Sequence, residues 1–223
     1  MFVQVIYARD LSPSLRTFGW SISGGLDVDN NKYPDILVGA YESGHAVHMR
    51  SAPVVHMDAA ISYADNAQLI ELDRTDCTLA DRRTWVPCIE VLVSLTYSGE
   101  GVPDSLEFDL HYLLDSKKVK NKRMYFLDDE KSSSRTDRIQ MLKGRIFNRS
   151  FKVFIPGPHI KDKLTPLDIQ FKYSLVESAY SAVRGGLRPV LGNDANAEVA
   201  TINIAKDCDN NICVPDLSIK TKE

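Results

Sequence analysis

The residues best suited to chemistry crowd into one stretch, LDVDNNKYPDILVGAY, residues 26–41. With Asp27 as position 1, Asp29 stands at position 3, Asn31 at 5, Tyr33 at 7 and Asp35 at 9. A hard cation such as Ca2+ takes about six to eight oxygen ligands at roughly 2.3–2.6 Å. A tight loop that turns alternate side chains inward supplies three carboxylates, one amide oxygen and the backbone carbonyl of Tyr33, and water fills the rest. The alternative is an Asx-rich turn without metal. Without a cation, crowded carboxylates repel one another by about 1 kcal/mol per close pair near a surface, which favours Ca2+.

The loop is not an EF-hand. Position 6 is Lys32 rather than Gly and position 12 is Val38 rather than Glu. Pro34 and the β-rich run ILVGAY exclude an exiting helix. The ligand set is therefore mounted between two strands. No nucleophile or general base stands beside it, so the ion is expected to be structural and the protein not an enzyme. GWSIS (19–23) is one residue short of G-x-S-x-G and lacks its strand-to-helix context. G-x-G-x-x-G, P-loop and H-E-x-x-H motifs are absent. His45 and His48 are three apart, on opposite faces of a strand, and with His56 make a poor zinc set. The run KKVKNKR (117–123) is followed by Asp128, Asp129 and Glu130, which suits a solvated hairpin better than a nucleic-acid surface.

The elements that must carry this loop are short strands. "CIEVLVSLTYS" (88–98), "LEFDLHYLL" (106–114) and "LDIQFKYSLV" (167–176) alternate apolar and polar residues, with Asp168, Gln170, Lys172 and Ser174 on the polar face of the last. Further strands are expected over 3–8, 17–23, 35–41, 45–50, 123–127, 138–144, 150–157, 198–206 and 214–220. About seven such strands between residues 50 and 207 fit a β-sandwich. The first 48 residues are richer in glycine and too few to bury a core of their own. Residues 176–198, with Gly185, Gly186, Pro189 and Gly192, read as a long surface loop.

Composition adds context. The 223 residues are 43% hydrophobic and 26% charged, with a net charge of −3 that points to no nucleic-acid partner. The four cysteines form two local pairs, Cys77 with Cys88 and Cys208 with Cys213, neither a C-x2-C. Two local disulfides in an oxidising compartment are the simpler reading over zinc. The sequon Asn148-Arg149-Ser150 agrees with a secretory route. No apolar run approaches the roughly 20 residues of a membrane span, and MFVQVIYARDL is not a signal peptide. An internal piece of a longer secreted chain is expected.

FGWSISGGLDVDNNKYPDILVGAY resembles an FG-GAP repeat of an integrin α chain. Phe18-Gly19 supplies the FG element and Gly39-Ala40 the GA, with Tyr41 where the Pro would be. VVHMDAAISY and CTLADRRTWVPC resemble the start of the integrin thigh domain; KDKLTPLDIQFKYSL, GLRPVL and DCDNNICVPDLSIK resemble its end and the knee. The resemblance implies an all-β chain: residues 1–48 the last part of a β-propeller, 49–207 an immunoglobulin-like thigh sandwich, and 208–223 the genu disulfide loop with the start of calf-1. It implies a cell-surface adhesion receptor that pairs with an integrin β subunit and signals across the membrane. Such a receptor meets extracellular matrix through propeller blades outside this chain and is anchored by a C-terminal helix also outside it. NICVPDL leans toward Arg-Gly-Asp-binding α chains. The alternatives are a secreted FG-GAP enzyme of phospholipase D type and a soluble calcium-binding adhesion module. A second thigh disulfide of many vertebrate chains falls here on Ser94 and Asn148, and the genu loop CDNNIC is one residue short, leaving only Asp209 as a loop carboxylate for a second cation.

Overall fold

A computed structural model of the 223-residue chain describes residues 5–67, 69–157, 160–176, 187–192 and 196–206. A single turn of helix, α1 (Ala8–Leu11), precedes a three-stranded antiparallel meander of β1 (Phe18–Leu26), β2 (Asp35–Ala40) and β3 (His45–Met49). No strand forms over 5–7, the described part of the strand expected at 3–8. Its backbone meets no sheet edge, and Val5, Ile6 and Tyr7 stay exposed. The meander buries Val38 and Ala40 but leaves Trp20, Ile22 and Leu26 each more than 70% exposed. Among the described residues, nothing buries these three side chains of the small sheet.

The rest of the described chain is a sandwich. Its strands are β4 (Val54–Tyr63), β5 (Leu69–Ile70), β6 (Cys77–Thr78), β7 (Trp85–Val86), β8 (Cys88–Ser98), β9 (Ser105–Leu114) and β10 (Tyr125–Phe126). They are followed by β11 (Ser134–Leu142), β12 (Phe147–Phe154), β13 (Leu167–Leu175), β14 (Val190–Leu191) and β15 (Ala197–Ile204). Two five-stranded sheets, β10-β12-β8-β4-β14 and β11-β9-β13-β15-β5, face each other, with β6-β7 as a separate two-stranded ladder. Among the described residues, seven of the sandwich strands run eight residues or longer.

Period-two alternation builds the core. Along β9, Leu106, Phe108, Leu110, Tyr112 and Leu114 are all buried. The Tyr112 ring meets Phe151 of the facing sheet at 5.2 Å and Phe171 at 5.1 Å, so aromatic contacts join the two layers. β4 is a ten-residue strand with no counterpart among the expected ones, although Val55, Met57, Ala59, Ile61 and Tyr63 share its inner face. Ala59 and Ala60 dilute the β-signal there, and pairing with β8 from His56↔Ser98 to Tyr63↔Val91 supplies what local propensity lacks. The Cys77 and Cys88 sulfurs are bonded, with their Cα atoms 5.9 Å apart. This bond closes the β6–β7 excursion over a small apolar cluster of Val86 and Phe154. In the chain-entropy picture such a loop constrains the unfolded state by about 3 kcal/mol. Cys208, Cys213 and the genu loop lie outside the described residues.

Two polar features depart from the alternation pattern. Asp168, assigned above to a polar face, is fully buried. Its carboxylate accepts from the Ser116 hydroxyl and, at 3.4 Å, the Lys117 N–H, because the turn after β9 folds across the start of β13. The run 117–123 is not simply solvated either. Arg123 is 4% exposed and grips Asp115 through Nε at 3.0 Å and Nη2 at 2.6 Å. Its remaining donors reach the carbonyls of Asp162, Thr165 and Pro166. Lys118 pairs with the Asp162 carboxylate at 2.6 Å and Lys122 donates to the Asp115 carbonyl. Asp115 follows β9, whereas the β8–β9 turn at 99–104 precedes it. The ionic network therefore sits at the far end of the sandwich from that turn, about 30 Å away at roughly 3.3 Å per strand residue.

Candidate metal centre

The β1–β2 connection carries the sequence-predicted ligands. Gly25, at φ 101°, sits at an irregularity in the pairing between Gly24 and Leu26, and Asn30 and Lys32 take φ of 58° and 78°. These left-handed residues curl the loop tightly enough to aim its side chains inward. Carboxylate oxygens of Asp27, Asp29 and Asp35 converge to within 4.8 Å of one another. Asp27 accepts from the N–H groups of Asn31 at 3.0 Å and Lys32 at 2.9 Å, and Asp29 from Asn31 at 3.3 Å. The Asn31 side-chain oxygen accepts from the Tyr33 N–H at 2.8 Å. Asn31 and Tyr33 thus lie within the same hydrogen-bonded loop as the three aspartates.

Asp35 is the buried member, at 3% exposure. It accepts from the Ser51 N–H at 2.9 Å, the Val28 N–H at 3.1 Å and His48 Nε2 at 3.0 Å. The Ser51 hydrogen bond, with those of Val28 and His48 and against the opposing effect of burial, holds its carboxyl below the usual carboxylate range. Arg50 stands 3.6 Å from Asp29. His48, Arg50 and Ser51 were not singled out as part of this site. Their signal is topological, since β3 pairs beside β2 with Leu37 opposite His48 and so brings them to the loop.

The donor set fits a hard divalent cation: all three acidic side chains are oxygen donors and they converge, beside the Arg50 guanidinium and the His48 imidazole. His48, weighed above for zinc, pairs through Nε2 with Asp35. Asn148 is exposed on the outer face of β12, and the register sets it directly opposite Ser94 of β8.

The family model of the FG-GAP repeat matches residues 18–48, which frame this loop. The family model of the integrin alpha Ig-like domain 1 matches residues 51–207, most of the chain. The chain belongs to the integrin alpha family. Integrin alpha-PS2 of Drosophila melanogaster is 38% identical over 97% of this chain. Integrin alpha-V of Gallus gallus is 34% identical over 96%, and integrin alpha pat-2 of Caenorhabditis briggsae 32% identical over 92%. The chain spans 16–21% of the length of these relatives. An FG-GAP repeat joined to an integrin Ig-like domain gives no support to the phospholipase-type reading or to a stand-alone module.

Proposed function

We propose that the chain forms the junction between head and leg of an integrin α subunit at the cell surface. Residues 1–48 supply the end of a β-propeller, 49–207 the thigh sandwich, and 208–223 the genu, with Cys208 bonded to Cys213, and the start of calf-1. The cation is Ca2+, held by the side chains of Asp27, Asp29, Asn31 and Asp35 and the carbonyl of Tyr33. When bound, it neutralises the converged carboxylates and ties β1 to β2. Exposed Trp20, Ile22 and Leu26 support a neighbouring propeller blade, outside this chain, as the cover of the meander. An integrin β subunit and an extracellular-matrix ligand are the partners of the whole receptor, engaged through parts outside this chain. Asn148 carries an N-linked glycan; glycosidase treatment of secreted protein should shift the mass of the wild type but not of Asn148→Gln.

The observation that carries this reading is the convergence of three carboxylates inside an FG-GAP frame continuous with an integrin Ig-like domain. Calorimetry on the secreted chain tests it. Millimolar Ca2+ should raise the melting temperature, and Asp27→Asn should abolish the rise. A melting curve indifferent to Ca2+ overturns the metal assignment.

A further inference from the structure

We propose that the cation loop is also a docking contact whose engagement with the sandwich is thermodynamically coupled to ion binding, with Tyr33 and Gly101 as the coupling residues; this rests on the Ca2+ reading above. Tyr33 lies inside the loop, but its hydroxyl leaves it and donates to the Glu100 carbonyl at 3.1 Å, in the β8–β9 turn. A longer contact of 3.4 Å reaches the carbonyl of Val54, where β4 begins. The neighbouring ligand, Asn31, touches the same turn through its backbone. A Cβ added to Gly101 would lie 2.6 Å from the Asn31 carbonyl oxygen. Gly101 also sits at φ 60°, so both its conformation and its contact favour glycine.

The segment joining the two units is drawn into the same contact. The Asn31 amide donates to the Ser51 carbonyl at 2.7 Å, Ser51 N–H donates to Asp35, and the Ser51 hydroxyl donates to the Pro34 carbonyl at 2.6 Å. Loop and sandwich thus meet through ligand residues or their immediate neighbours. Fixing a loop backbone costs about 1–2 kcal/mol per residue in conformational entropy. Ion and sandwich each order the same short loop, so each reduces what the other must still order. Coupling of this kind is reciprocal: docking on the turn must raise cation affinity by the factor by which the cation strengthens docking.

Two variants of the full chain read both directions. Tyr33→Phe keeps the backbone carbonyl and the ring but removes the hydroxyl. Gly101→Ala alters a residue that offers the ion no ligand and lies in the other unit. Both should bind Ca2+ about three- to tenfold more weakly by titration calorimetry, the scale of one net hydrogen bond. In hydrogen exchange, Ca2+ added to EGTA-treated wild type should slow amides in both 27–35 and 99–102. In Tyr33→Phe, protection of 27–35 should persist at saturating Ca2+ while the added protection of 99–102 largely disappears. Unchanged Ca2+ affinity in Tyr33→Phe, or Ca2+ protection confined to 27–35 in the wild type, overturns the coupling and leaves the metal site standing. No Ca2+ protection in either stretch overturns both.

Discussion

Three aspartates gather at each end of the sandwich, and the chain compensates them in opposite ways. At the far end, Asp115, Asp162 and Asp168 surround Arg123, with Lys118 and Lys122 drawn in as well. Their cations are covalent parts of the chain, and the backbone carbonyls of 162, 165 and 166 absorb the remaining guanidinium donors. At the near end, Asp27, Asp29 and Asp35 converge with Arg50 at 3.6 Å from one of them and His48 on another. The first cluster is complete as folded. The second sets three converging carboxylates beside one guanidinium and one imidazole among the described residues, an arrangement to which an external cation can contribute. A self-sufficient network fixes one end of the sandwich permanently, whereas on the proposed cation reading the loop leaves the other end responsive to its surroundings.

The largest effect should come from removing the built-in cation. Arg123→Met strands the fully buried Asp115 carboxylate and frees three carbonyls. Breaking a buried pair from one side costs about 3–5 kcal/mol, which urea denaturation of the sandwich should register. Arg123→Lys should recover little, because one ammonium cannot span the Asp115 fork and three carbonyls. A loss below about 1 kcal/mol would mean that the far end is not the rigid one.

Crossing that variant with chelation sharpens the contrast. If the loop binds Ca2+ as proposed, a hundredfold excess over the dissociation constant should stabilise by about 2.7 kcal/mol. EGTA should therefore lower wild type and Arg123→Met by equal amounts, within the roughly 0.3–0.5 kcal/mol expected of independent distant sites. Non-additivity beyond that would show that the two ends communicate through the sandwich.

The two clusters also differ in how legible they were. The near one is written locally, with all three converging aspartates inside nine residues at alternate positions, so spacing alone brings them to notice. The far one is assembled from the end of β9, a basic turn and the start of β13, as separated in sequence as Asp115 and Asp168. Local pattern put Asp168 on a solvent face and the basic run in water, because it has no view of the turn that folds back over them. β4 was missed for a related reason. Ala59 and Ala60 weaken its propensity, and its strand character comes from eight paired residues on β8. The long alternating strands were legible because burying one face requires period two. The contact of Tyr33 with Glu100 was not, since nothing local to either residue records the other.

The smallest effect is in the acid range and tests whether the exposed rim of the far network matters. The Lys118 ammonium, followed by the Thr165 N–H and the Arg123 charge, holds the Asp162 carboxyl well below the usual carboxylate range. A carboxyl whose folded pKa is depressed contributes stability that is complete above its unfolded pKa of about 3.9 and is lost as pH falls towards the folded value. Lys118→Met removes the leading cause of that depression. The unfolded carboxyl is common to both chains, so the stability gap between wild type and Lys118→Met should be present at pH 7 and close only as pH falls through the folded pKa of the variant, which the Thr165 N–H and Arg123 still hold below the usual carboxylate range. Solvent screening keeps the gap small even at neutral pH, and added salt should narrow it further. A gap that added salt leaves unchanged would assign the loss to packing of the lysine stem and leave Arg123 alone as the cation that makes the far end self-sufficient.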